Sequence, residues 1–177
     1  GMKVPGSIYQ GAVEVYLNPS GAMGGFFRDV QPLQISGIAG QDCTSVALAD
    51  LNGDKQLDLV VGNSGTGQAN YFYINPGNGH FDQVSGVAFS TSDLDLTEDV
   101  LVADFNGDTV MDIAVGNRGQ QNKLYLGELD GSTFSLSSAI SVGTEADQTY
   151  ALAIGDLNGD SIPDLIVGNF EEPNKAR

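Results

Sequence analysis

The 177 residues suit a single domain with a substantial core. Seven basic against 23 acidic residues leave a net charge of -16, which excludes the Lys and Arg clusters that nucleic acids and anionic membranes require and favours cations. No run approaches the roughly 20 apolar residues of a membrane helix, so no membrane insertion is expected, and a lone cysteine, Cys43, rules out an internal disulfide.

The opening "GMKVPGSIYQ" has neither the apolar core nor the small-residue cleavage site of a secretory signal. From Val13, "VEVYLNPSGAMGGFF" reads as a strand, a glycine-containing turn and a Phe-led strand. "CTSVALAD" and "LDLVVG" follow as short apolar strands joined by an acidic loop, and "NYFYINPGNGHF" repeats the hairpin pattern of the N-terminal segment. The whole unit then recurs: "TEDVLVAD", "MDIAVG" and "NKLYLGELDGSTF", and finally "TYALAIGD" and "PDLIVG". The leading Asp of the loop falls at 50, 104 and 156, and Cys43 stands level with Thr97 and Thr149, which reads as a packed thiol.

Four antiparallel strands every 52 to 54 residues is the size of a β-propeller blade, and no segment has sustained helical periodicity. The predicted fold is all-β: one repeat domain over 1–177, with the outer hairpin of a partial blade at 13–35, blades at 43–90 and 97–142, and the inner strands of a further blade at 149–177. That amounts to about three blade equivalents, whereas rings close with roughly four to eight. A partial propeller is therefore favoured over a ring completed by association through exposed blade edges.

The shared loop is D-x-N-G-D-x-x-x-D. It is filled by Asp50, Asn52, Asp54 and Asp58, by Asp104, Asn106, Asp108 and Asp112, and by Asp156, Asn158, Asp160 and Asp164. Carboxylates this crowded repel one another unless a hard cation neutralises them, and oxygen donors alone in a flexible loop suit Ca2+ better than Mg2+. A backbone carbonyl at position 7, on Gln56, Val110 or Ile162, is expected to add a ligand. Solvated acids on a tight turn are the alternative for any single copy. The loop departs from an EF-hand at position 6, where Lys55, Thr109 and Ser161 replace glycine, and at position 12, where Val61, Val115 and Val167 replace glutamate.

These three in-register loops, each ahead of a "VGN", resemble the FG-GAP and VCBS-type repeats, whose members include the calcium-binding blades of integrin α-subunits. The resemblance covers about Val13 to Lys175 and implies a propeller with three structural Ca2+ sites, in an extracellular or cell-surface protein. It also implies that recognition lies on the opposite face, among "SGTGQAN", "RGQQN", "FEEPN", "STSDLDL" and "GTEADQ". Asn70, Asn122 and Asn174 align there, and a structural role closing the turn is preferred to ligand binding.

Catalysis has little support. The one histidine, His80, lies in a turn, and no nucleophile motif or zinc spacing occurs. Glu98 with Asp99, and Glu171 with Glu172, read as solvated loop charges before they read as acid/base pairs. The expectation is a non-enzymatic module binding a carbohydrate or protein, with a fragment of a polysaccharide-degrading enzyme as the alternative.

Overall fold

The computed structural model describes residues 13–17, 31–35, 41–92 and 94–170. Among them the chain forms antiparallel strands and a single 3-10 turn, Phe81–Gln83. An N-terminal hairpin pairs β1 (Glu14–Val15) with β2 (Leu33–Gln34). The first four-stranded sheet runs β3 (Cys43–Ala49), β4 (Asp58–Asn63), β5 (Tyr71–Tyr73), β6 (Val87–Ala88) in spatial order. The second contains β7 (Thr97–Ala103), β8 (Asp112–Asn117), β9 (Asn122–Tyr125) and β12 (Ile140–Val142), with a separate hairpin of β10 (Gly127–Asp130) and β11 (Thr133–Leu136) inserted before its last strand. A pair of β13 (Gln148–Gly155) and β14 (Asp164–Phe170) ends the described chain. These consecutive all-β blades form a partial propeller, with no closed sheet among the described residues.

β4 and β8 are buried at every residue, which is why their sequences are apolar and β-branched without alternation. The outermost strands differ from the sequence expectation. Phe81 was expected to open an outer strand; it instead enters the 3-10 turn, and Val87–Ala88 pairs with β5. Phe134 does lie in a strand, but that strand pairs with β10, and β12 takes the outer position beside β9. Both phenylalanines are buried, so inward packing rather than the ladder places them. β3 also departs from burial on both faces, its residues alternating between half-buried and exposed.

Neighbouring sheets pack face to face. Leu51, Val60, Phe72 and Phe89 meet Val100, Ile113, Val115, Tyr125 and Phe134. Edge-to-face rings join them: Phe72 with Phe134 at 5.2 Å and Phe89 with Tyr125 at 5.3 Å between centroids. Each such side chain contributes about 1.5–3 kcal/mol by leaving water. A second cluster, with Val13 and Ile35 against Leu59, Val61, Tyr73 and Phe81, seats the N-terminal hairpin on the first sheet. Close approach depends on glycine: a Cβ on Gly62 would lie 2.9 Å from Val100 Cγ1, and one on Gly116 would lie 3.0 Å from Thr149 Cγ2.

Candidate functional site

Each acidic loop joins the first two strands of a blade, and the three have one conformation. Gly53, Gly107 and Gly159 have φ of 76°, 77° and 82°. The next residue but one, Lys55, Thr109 or Ser161, is also left-handed, at 71°, 74° and 70°. A non-glycine residue in that region is strained by roughly 1–2 kcal/mol, so something must hold it there. The leading Asp does. Asp50 Oδ1 accepts the N–H groups of Gly53 (2.8 Å) and Asp54 (3.1 Å), and Oδ2 accepts that of Lys55 (2.8 Å). Asp104 and Asp156 repeat all three bonds.

The alternating residues fold back in the same way. Asn52 Oδ1 accepts the Asp54 N–H at 3.0 Å, and Asp54 Oδ1 accepts the Gln56 N–H at 2.8 Å. Asn106 and Asp108, and Asn158 and Asp160, do likewise, so Val110 and Ile162 are placed as Gln56 is. Asn52 Nδ2 also donates to Asp54 Oδ2 at 2.9 Å, as Asn106 does to Asp108. Positions 1, 3 and 5 are thus brought together on an exposed loop, while the described ion pairs go to Asp82, Glu98 and Asp95 and leave the loop acids without a basic partner.

The ninth residue behaves differently. Asp58 and Asp112 are fully buried, and each ties three segments together. Asp58 Oδ2 accepts the Leu51 N–H and Oδ1 the Asn75 N–H, both at 2.8 Å. Asp112 accepts from Phe105 and Gly127, both at 2.9 Å. Burial raises the pKa of both; the backbone donors oppose that, and the charges of the fifth and first loop residues add to it. In the third copy no described strand follows β14. Asp164 therefore receives Leu157 N–H at 2.7 Å and, on its other oxygen, the Asn158 amide at 3.4 Å. The exposed Asp156 has its pKa lowered, chiefly by the Gly159 and Ser161 N–H groups. Among the described residues no three Asp, Glu, His or Cys side chains are gathered tightly enough to hold a metal by themselves. The oxygens of positions 1, 3 and 5 accept backbone N–H groups of the loop itself, whereas those of the buried ninth residue in the first two copies also reach the strand or segment that follows.

At the other end of the strands, Asn70 and Asn122 are buried structural groups. Asn70 Oδ1 accepts the Asn63 N–H, and its amide donates to Thr97 Oγ1, both at 2.8 Å. Thr97 Oγ1 donates to Asn117 Oδ1 at 3.0 Å. The pattern repeats through Asn122, Thr149 and Asn169. A polar belt thus crosses from blade to blade, and residue-by-residue reading missed it, although Thr97 with Thr149 and Asn70 with Asn122 were already visible as aligned pairs. The first copy breaks the belt: Cys43 takes the threonine position, and Asn63 Oδ1 is buried without a partner. Burial pushes the Cys43 thiol up, against thiolate chemistry. Glu98 binds Arg118 and Ser64, and Asp99 bridges Ser45 Oγ and the Leu152 N–H, so this pair is engaged in structure. His80 pairs with Asp82 at 3.3 Å. Glu171, Glu172 and Asn174 lie outside the described residues.

A family model described as FG-GAP-like repeat matches residues 6–61, 50–115 and 104–167. The chain belongs to the FG-GAP-like repeat family. Each of the first two acidic loops of this FG-GAP-like protein closes one match and opens the next. It is 32% identical over 162 aligned residues to the phosphatidylinositol-glycan-specific phospholipase D of Bos taurus and 30% identical to that of Homo sapiens. Both alignments take in 73% of this chain and 18% of the relative, so the chain spans about a fifth of the curated relatives it matches.

Proposed function

We propose that the chain is a calcium-loaded propeller module. Its three ions brace the loops, and its opposite end recognises a carbohydrate or protein partner outside the cell. The observation that carries the reading is the threefold recurrence of one strained loop, with oxygen donors at positions 1, 3 and 5 and no basic partner among the described residues. Asp50, Asn52 and Asp54 and their counterparts would hold the ion, with Asp58, Asp112 and Asp164 fixing the loop behind them. Bound calcium supplies charge neutralisation and couples loop closure to folding. Millimolar calcium outside cells suits exposed sites of this kind.

Calcium titration followed by heating is the direct test. The metal should raise the melting temperature, a chelator should reverse it, and Asp54→Ala, Asp108→Ala and Asp160→Ala should each remove part of the response. A melting curve indifferent to calcium and chelator rejects the metal assignment. Recognition is tested on a glycan array in calcium, with exposed segments around Gly67 and Gly119 as the surface to mutate. A second reading, in which the repeats contribute to an enzyme, is favoured by the name of the relatives. Turnover of a phosphatidylinositol-glycan or a polysaccharide by the 177-residue chain would support it over the binding module.

A further inference from the structure

Four Asn-Gly pairs occur in the chain: Asn52 with Gly53, Asn78 with Gly79, Asn106 with Gly107 and Asn158 with Gly159. Such a pair is prone to lose ammonia, because glycine has no side chain to hinder attack of its backbone nitrogen on the neighbouring amide carbon. The glycines do not separate them, since all four are left-handed, with φ of 76°, 74°, 77° and 82°. The bonds around them do.

Attack needs a glycine nitrogen that can give up its proton and an asparagine side chain that can turn its Cγ toward that nitrogen. In the acidic loops both are restrained. Gly53 N–H donates to the Asp50 carboxylate at 2.8 Å and Gly107 N–H to Asp104 at 2.7 Å, and a charged acceptor holds the proton on nitrogen more strongly than a neutral one. Asn52 and Asn106 are each held at both ends: Oδ1 accepts the N–H of the fifth loop residue, and Nδ2 donates to that residue's carboxylate. Asn158 keeps the first of these bonds, and its amide has only Asp164 at 3.4 Å.

Asn78 lies exposed in the turn between β5 and the 3-10 turn. Its Oδ1 accepts the His80 N–H at 3.0 Å, but its amide nitrogen has no hydrogen-bond partner among the described residues. Gly79 N–H donates at 3.0 Å to Asn75 Oδ1, a neutral amide oxygen that also takes the Gly77 N–H at 2.9 Å. Neither restraint of the loops is present.

We propose that Asn78 is a site of spontaneous deamidation in the folded protein, and that the loop bonds hold Asn52 and Asn106 against the same reaction. Gly79 N loses its proton and bonds to Asn78 Cγ; the Cγ–Nδ2 bond breaks, and the nitrogen leaves as ammonia with that proton. Water then opens the resulting five-membered imide. Addition at the side-chain carbonyl gives aspartate, and addition at the backbone carbonyl gives isoaspartate, with no oxidation or reduction in either case. Isoaspartate adds a carbon to the backbone just ahead of Phe81, whose buried ring belongs to the cluster that seats the N-terminal hairpin.

The test is incubation of the full chain in mildly alkaline buffer with chelator present, so that bound metal plays no part, with each asparagine followed by fragment-ion mass spectrometry. A parallel sample in urea gives the rates set by sequence alone. Most of Asn78 should convert in the folded chain before Asn52 or Asn106 changes measurably, whereas in urea the three should convert at similar rates. Asn78→Gln should remove most of the isoaspartate detected by its specific methyltransferase. An Asn78 that stays intact in the folded chain, or the same ratio of Asn78 to loop conversion with and without urea, overturns the proposal.

Discussion

Thr97 shows how much a single hydroxyl carries. It accepts from Asn70 of one blade and donates to Asn117 of its own, both buried. Thr97→Val keeps the shape and removes both bonds, so it should cost about 1–3 kcal/mol in urea unfolding. Cys43→Thr works in the other direction, because it offers a donor to the orphaned Asn63 Oδ1 and should add about 1 kcal/mol in the same measurement. Burial pushes the Tyr73 phenol up to about 12, with the charges of Tyr71 and Cys43 adding to it. The unfolded chain therefore ionises this phenol first. Its contribution to stability is full below pH 10 and is lost as pH rises from about 10 to about 12; phenolate absorbance should show a late-titrating component that Tyr73→Phe removes. The aligned threonines and asparagines were legible as repeats. Their bonding was not, because Asn70 and Thr97 are 27 residues apart and meet only when blades stack.

β8 depends on its first and fifth residues in different ways. Asp112 holds the loop and the strand that follows, so Asp112→Asn, measured with chelator present to remove any metal contribution, should cost about 1–3 kcal/mol because one buried donor loses its acceptor. Asp164→Asn should cost much less, since its second oxygen has only a long amide contact. Gly116→Ala would press a methyl against Thr149 and Leu152 at 3.0 and 3.1 Å and should lose about 1–3 kcal/mol through overpacking. The inner strands and their loops could be read from residue type alone, since apolar runs and N-G-D turns are local signals. The fourth strands could not: Phe81 and Phe134 match strand chemistry, but the space beneath the sheet took their rings.

A net charge of -16 on a chain of this size opposes compaction. With chelator present, raising monovalent salt should raise the melting temperature by screening this repulsion, and with calcium bound the same change should have a smaller effect. The inner strands of each unit and the strand that follows them, the loop that joins the inner pair and the all-β class follow from the amino acids in order, because alternation, turn chemistry and repetition act over a few residues or copy themselves along the chain. Three further features exist only in the folded stack. One is the inward turn of Asp58 and Asp112 onto backbone N–H groups 17 and 15 residues away. Another is the belt of amides and hydroxyls between blades. The last is the close seating of Val100 against Gly62 of the preceding blade. Each depends on which surfaces come within contact distance, and only packing decides that.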